Sequence, residues 1–213
     1  MCHKLTKSTR PQTPAESWAA LLEGNQRFVT DKPAHVRQDF GIRTELAKEQ
    51  KPFAALFGCA DSRLSAEIIF DVGLGDLFVV RNAGQVIAET ILGSLEYAVE
   101  VLGVPLILVL GHDECGAIRA TMNSTEGQTM PKGEFIHNLV ERIAPTVLAA
   151  KANGLHEIDE ITDLHVRETI NEMIARSSLI AQRIESGKLA VVGANYKLTL
   201  GEIQEIVTIG NTK

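Results

Sequence analysis

The sequence predicts an α/β fold: a mainly parallel central sheet of four to five strands flanked by helices, with an N-terminal helical arm. Three observations lead there. Apolar runs of strand length recur at 53–58, 77–80, 106–110 and 189–192. The segments between them carry apolar residues at helical spacing, and such alternation favours parallel strands covered on both faces. Two of the runs, in FAALFGCADSR (Phe53–Arg63) and LILVLGHDECG (Leu106–Gly116), break into polar residues able to bind a metal or move a proton.

Taken in order, Thr13-Pro14-Ala15-Glu16 is a helix start. Thr13 can cap, Pro14 suits the first helical position and Glu16 completes a capping box. Trp18, Leu21, Leu22, Phe28 and Val29 then share one face, for packing on this core or on another subunit. Residues 30–52 are mixed and polar, with a short helix near Phe40–Ala47. After the first strand, Ser62–Phe70 reads as helix until Gly73 and Gly75 break it. The strand Leu77–Val80 leads into the turn Arg81-Asn82-Ala83-Gly84, and Glu89–Leu102 is a helix stopped by Gly103 and Pro105. Leu106–Leu110 is continuously apolar, as expected of a strand buried on both faces. Helices follow at Cys115–Met122, at Glu134–Ala150 with a break or kink at Pro145, and from Ile158 to Glu185. Leu189–Val192 is the fourth strand, and Glu202–Thr208 returns beside it as an edge. The expected organisation is one domain over 1–213, with a tail and arm helix at 1–30 and a core at 53–210.

Composition narrows the function. The chain has 213 residues, 45% hydrophobic and 23% charged, with a net charge of −6. No clustered positive patch points to nucleic acid. The basic stretch Lys4–Arg10 reads as a solvated tail. No apolar run reaches membrane-spanning length, and residues 1–15 contain no apolar core of a secretory signal, so a cytoplasmic location is expected. Three cysteines, Cys2, Cys59 and Cys115, suit a reducing compartment, with the latter two as ligands or catalysts and Cys2 incidental.

In sheets of this type, sites form beyond the carboxyl ends of strands. Cys59 and His112 each follow a predicted strand, and Cys115 comes three residues after His112. Two thiolates and an imidazole are a recognised zinc set that leaves a fourth position for water. Such a site has no net formal charge and acidifies water less than three imidazoles would. Asp61 is close enough to orient the oxygen at that position, and Arg63 can keep Asp61 ionised and aimed. Asp61 could also swing onto the metal and close the site. Other readings stay open: buried apolar thiols, a Cys–His nucleophilic pair, or an ordinary Asp61–Arg63 ion pair. His3, His35, His137, His156 and His165 lack partner spacing and read as surface or packing residues.

At these residues the sequence resembles the β-class carbonic anhydrases. The resemblance rests on C-x-D-S-R at Cys59–Arg63, G-H-x-x-C-G at Gly111–Gly116 and GDLFVVRNAG at Gly75–Gly84, and extends from about Trp18 to Tyr196. It implies reversible hydration of CO2 to bicarbonate by a metal-bound hydroxide, with one Zn2+ per subunit on Cys59, His112 and Cys115. It also implies an Asp61–Arg63 dyad and a homodimer or homotetramer whose N-terminal helices wrap the neighbour. Gln50 matches a glutamine that reaches the substrate from the partner subunit. Phe78, Ala83 and Tyr97 match a small apolar substrate pocket, and Gly116 matches a backbone N–H near substrate. Some members bind inhibitory bicarbonate around a tryptophan where this chain has Leu56, although Arg81 matches the arginine of that pocket. That form of regulation is not expected here, and Asp113 and Glu114 receive no role. The competing functions are hydrolysis of carbonyl sulfide or carbon disulfide on the same site, and non-catalytic zinc binding through a closed four-ligand site.

Overall fold

The structure is a computed structural model and describes residues 10–128 and 132–213. Cys2, His3 and most of the basic stretch lie outside the described residues. Arg10 is described and departs from the expected solvated tail: it pairs with Asp76 at 3.3 Å and is half-buried.

The chain runs α1 (Pro14–Val29), α2 (Ile42–Leu46), β1 (Ala54–Cys59), α3 (Ala66–Ile69), β2 (Leu77–Asn82), a 3-10 turn (Ala83–Gln85) and α4 (Glu89–Glu100). It continues with β3 (Leu106–His112), α5 (Gly116–Thr125), α6 (Glu134–Ala152), α7 (Ile158–Arg176), α8 (Ser178–Glu185), β4 (Ala190–Lys197) and β5 (Glu202–Ile209). The strands form one sheet in the order β2-β1-β3-β4-β5, parallel except for β5, which pairs antiparallel with β4.

Strand periodicity sorts the core into two layers. Ala54, Leu56, Leu106, Leu108 and Leu110 face one side, and Ala55, Phe57, Ile107 and Val109 the other. The first layer meets Trp18 and Leu21 of α1, Ile69 of α3, Ile118 of α5 and Ile143 of α6. The second meets Leu95 of α4, Ile170 of α7 and Ile180 of α8. Every residue of β3 is buried, which explains its unbroken apolar run.

The predicted arm helix lies on its own chain's core. Its capping box forms as expected, and Trp18 Nε1 donates to Glu205 Oε2 of β5 at 3.0 Å. Leu22, expected on the same face, is exposed. Three further elements differ from expectation. The helix at 62–70 shrinks to α3, because residues 61–64 form the turn that carries Asp61 and Arg63. The pattern at 158–185 divides at Ser177, whose extended backbone ends α7 and whose side chain caps Ile180 N–H of α8. α6 continues through Pro145 without a break; Pro145 and Glu141 border an open groove, where water can reach the carbonyl left without a donor.

α7 crosses the sheet unusually closely. A Cβ on Gly111 would lie 2.7 Å from Val166 Cγ2, and one on Gly193 would lie 2.7 Å from Val166 Cγ1. Glycine at both positions lets α7 settle against β3 and β4 beside the strand end that carries His112.

Candidate metal centre

Parallel pairing of β1 and β3 brings their carboxyl ends to one rim. Cys59 is the last residue of β1, His112 the last of β3, and Cys115 precedes the first residue of α5. All three are buried, and their ligand atoms lie within 4.8 Å of one another. His112 Nδ1 lies 2.7 Å from the Asp113 carbonyl oxygen. A carbonyl only accepts, so Nδ1 carries the hydrogen and Nε2 of the neutral ring keeps its lone pair. Nε2 is buried with no hydrogen-bond partner in the protein. A bare imidazole nitrogen facing two sulfurs fits a metal with a thiolate and imidazole donor set.

The two sulfurs shift each other in opposite directions. The Cys115 thiol facing it holds the Cys59 thiol well below the ordinary thiol range, aided by His112 and the backbone N–H groups of Gly84 and Asp61, against burial. Cys115 is pushed up by Cys59 and by burial, although the Ala117 and Ile118 N–H groups in the first turn of α5 pull the other way. The pair thus pulls one thiol down and pushes the other up, with Cys115 at a helix N-terminus.

Asp61 points at Arg63. Its Oδ1 accepts from Arg63 Nε at 2.9 Å and its Oδ2 accepts from Nη2 at 2.8 Å. These hydrogen bonds hold the carboxyl well below the usual carboxylate range against the effect of burial, with further help from the Arg63 N–H and from His112. Oδ2 lies 4.0 Å from His112 Nε2, so the carboxylate borders the donor cluster without leaving Arg63.

Arg81, which sequence reasoning matched only to a regulatory pocket, grips this turn. Its Nε donates to the Cys59 carbonyl at 2.8 Å and its Nη2 to the Asp61 carbonyl at 2.6 Å. Gly58 pairs with Arg81 across β1 and β2, and that register supplies the contact. Asp113 and Glu114 also gain roles: Asp113 Oδ1 accepts from Leu198 N–H at 2.9 Å, and Glu114 pairs with Arg119. His165, expected on the surface or in packing, is buried and meets the Gly84 carbonyl. Leu56 is in the core.

The proposed substrate residues divide into two groups. Gly116, the first residue of α5, and Ala83, in the turn after β2, lie at the metal-centre rim. Gln50, Phe78 and Tyr97 do not. Phe78 pairs with Ala55, and the four steps along the strand from Ala55 to Cys59 span roughly 13 Å. The Phe78 and Tyr97 rings lie 6.1 Å apart. Tyr97 and Gln50 line a groove of about 470 Å³ with Leu46, Val101 and Leu102, at the opposite end of the sheet. One chain thus carries both halves of the expected pocket on separate surfaces.

Residues 54–203 match the family model described as carbonic anhydrase. A relative named carbonic anhydrase 2, from Mycobacterium tuberculosis (strain CDC 1551 / Oshkosh), is 52% identical over 198 residues, covering 93% of this chain and 95% of the relative. This chain belongs to the β-class carbonic anhydrases. A solved Coccomyxa β-carbonic anhydrase in complex with acetazolamide is 27% identical, with a TM-score of 0.69 over 89% of this chain and 87% of that one. One of two tetrameric β-carbonic anhydrases from Sordaria macrospora shares the fold at a TM-score of 0.70, with 23% identity over 90% of this chain and 98% of that one. The likeness covers the mostly parallel five-stranded sheet and its flanking helices. Among the described residues, no helix is long and apolar enough to cross a membrane.

Proposed function

We propose that this carbonic anhydrase interconverts CO2 and bicarbonate at one zinc ion per subunit, held by Cys59, His112 and Cys115. The observation that carries the reading is the bare, buried His112 Nε2 facing two sulfurs while Asp61 is drawn away onto Arg63. Zinc in such a donor set is a Lewis acid with one position left for solvent, where it makes water acidic enough to react near neutral pH.

The protein's own groups do the remaining work. Asp61, kept ionised by Arg63, accepts a hydrogen bond from the attacking water oxygen and sets its direction. Arg81 fixes the turn from Cys59 to Asp61, so the carboxylate and the sulfur move together. The Gly116 N–H and the Ala83 side chain border the space for CO2. The oxygen bonds to the CO2 carbon, one C=O π bond opens onto oxygen, and the proton released from water passes to buffer. Asp61 held on Arg63 favours this open arrangement over a closed four-ligand site.

The remaining pocket residues come from a second subunit in this reading. Gln50, Phe78 and Tyr97 are too far along the sheet to serve their own chain's metal. A two-fold pairing would seat their exposed groove against the partner's rim. The Gln50 amide then donates to a CO2 oxygen, with Phe78 and Tyr97 as its apolar walls. A homodimer is the smallest complete enzyme, and the homotetramer remains open to it.

Stopped-flow CO2 hydration with parallel metal analysis tests the proposal. The expected result is one zinc per chain, with hydration lost on chelation and restored by zinc. A folded, zinc-loaded protein that fails to hydrate CO2 overturns it.

A further inference from the structure

We infer that His165 is a positioning residue for the metal centre: it holds the Gly84 carbonyl and so keeps the turn at 83–85 against the first turn of α5. The inference rests on the reading of Cys59, His112 and Cys115 as the metal ligands.

His165 lies within α7 and is 5% exposed. Its Nε2 is 2.8 Å from the Gly84 carbonyl oxygen. That oxygen only accepts, so Nε2 carries the hydrogen. Nδ1 is buried with no protein partner and belongs to a side chain bordering a groove of about 540 Å³ beside α6 and α7. Glu141, Glu168 and Glu172 also border it. Among the described residues, the cluster of metal-ligand type is Cys59, His112 and Cys115, and His165 is not in it.

The turn that His165 holds is anchored at its base by other groups. Asn82 pairs with Cys59 across the sheet, and its carbonyl accepts from Ala60 N–H at 2.8 Å. Its side chain closes the turn onto Val86 through two hydrogen bonds, of 2.8 and 3.0 Å. The apex is different. Gly84 has φ +74°, and a Cβ there would lie 2.9 Å from Ala117 Cβ and 2.8 Å from Ile143 Cδ1. It is wedged against α5 two residues after Cys115, with its N–H beside the Cys59 sulfur. His165, on α7, secures the apex through the Gly84 carbonyl. Without the Nε2 hydrogen, a buried carbonyl loses its donor, and the turn must shift to recover one. That shift withdraws the Gly84 N–H from Cys59 and loosens packing on the helix that carries Cys115.

Outer partners of metal ligands typically contribute 10- to 100-fold to metal affinity. The discriminating pair is His165→Gln and His165→Asn. A glutamine Nε2 reaches about as far as the histidine Nε2 and can donate to Gly84. Asparagine has the same amide but is one methylene too short. Zinc affinity is measured by chelator competition on the full-length protein, with the thiolate-to-metal charge-transfer band of the cobalt(II) form as a second readout. Ile170→Val, buried on the same helix in the other core layer, controls for lost packing. The expected result is zinc binding about 10-fold or more weaker in His165→Asn, with a shifted cobalt band, and near-native values in His165→Gln and Ile170→Val. Equal affinities for the Gln and Asn variants, or an Asn variant binding like the wild type, overturn the inference. Failure of the ligand reading shows separately, as a wild-type protein that takes up no zinc, and removes this inference with it.

Discussion

The Asp61 carboxylate is held by Arg63 through three hydrogen bonds: from the backbone N–H at 2.9 Å and Nε at 2.9 Å to Oδ1, and from Nη2 at 2.8 Å to Oδ2. The two residues form one unit, because the same guanidinium that keeps Asp61 ionised also keeps it off the neighbouring donor cluster. Its Oδ2 is 4.0 Å from His112 Nε2, so a modest rotation would bring it within a metal's reach.

Removing either partner therefore has a different consequence. Asp61→Ala should keep its zinc and lose about 100-fold or more in hydration rate, the scale of a positioned proton acceptor. Arg63→Ala should be as inactive and also change with pH. Arg63 holds the Asp61 carboxyl below its ordinary range, so without it the carboxyl returns upward. Activity that needs the ionised carboxylate then fails at a higher pH on acidification than in the wild type. Rate profiles from stopped-flow assays, with metal analysis of each variant, check both outcomes.

The cluster of two sulfurs and a bare nitrogen predicts that metal stabilises the folded state. At a zinc concentration of 100 times the dissociation constant, mass action contributes about 2.7 kcal/mol. Chelation should lower the melting temperature, and restoring zinc should raise it. Cys115→Ser replaces a thiol that bound metal would deprotonate with a hydroxyl that stays protonated and coordinates poorly. The variant should take up less than the wild-type zinc and lose most of the zinc-dependent rise in melting temperature. Full zinc occupancy in Cys115→Ser would count against its role as a ligand.

Separation of Gln50 from its own metal centre predicts complementation. Gln50→Ala and Asp61→Ala chains should each be nearly inactive alone. In a mixed dimer, the site with native Asp61 receives native Gln50 from the other chain, and the second site lacks both. After denaturing and refolding an equal mixture, activity should recover to roughly a quarter of wild type, from half the dimers with one complete site each. If Gln50 served its own chain, no mixed dimer would hold a complete site and activity would stay low.

The strands and the three candidate ligands were legible because each left a local mark. Buried parallel strands read as unbroken apolar runs, and Cys59 and His112 interrupt two of them at the same rim. What was hidden depends on contacts between distant segments. β4 extends to Lys197, past the apolar run, and carries the buried Asn195, whose Nδ2 donates to Asp163 Oδ1 at 2.7 Å. The break at Ser177 is secured by its hydroxyl on Glu96 at 2.6 Å, a partner 81 residues away. The grip of Arg81 on the Cys59 and Asp61 carbonyls follows from strand register, which spacing along one strand does not reveal.

Asp71 supplies a pH-dependent test away from the donor cluster. It is buried, with φ +42°, and accepts from Arg27 Nε at 2.5 Å, Ala34 N–H at 2.8 Å and His35 N–H at 3.0 Å. It thereby ties the end of α1 and the strap at 34–35 to the loop after α3. Burial alone would raise its pKa, but these hydrogen bonds outweigh burial and lower it. A carboxyl whose folded pKa is depressed contributes its full stability above the unfolded value, and loses it as pH falls through the folded one. Asp71→Asn should therefore destabilise the protein by about 2 kcal/mol near pH 7, the scale of hydrogen bonds to a charged group. The gap to wild type should shrink as the pH falls below about 4, where protonated aspartate and asparagine become alike in charge. Melting temperatures of both proteins at matched concentration across that range check the sign. A gap that stays constant would assign Asp71 a role in shape alone, with no part for its charge.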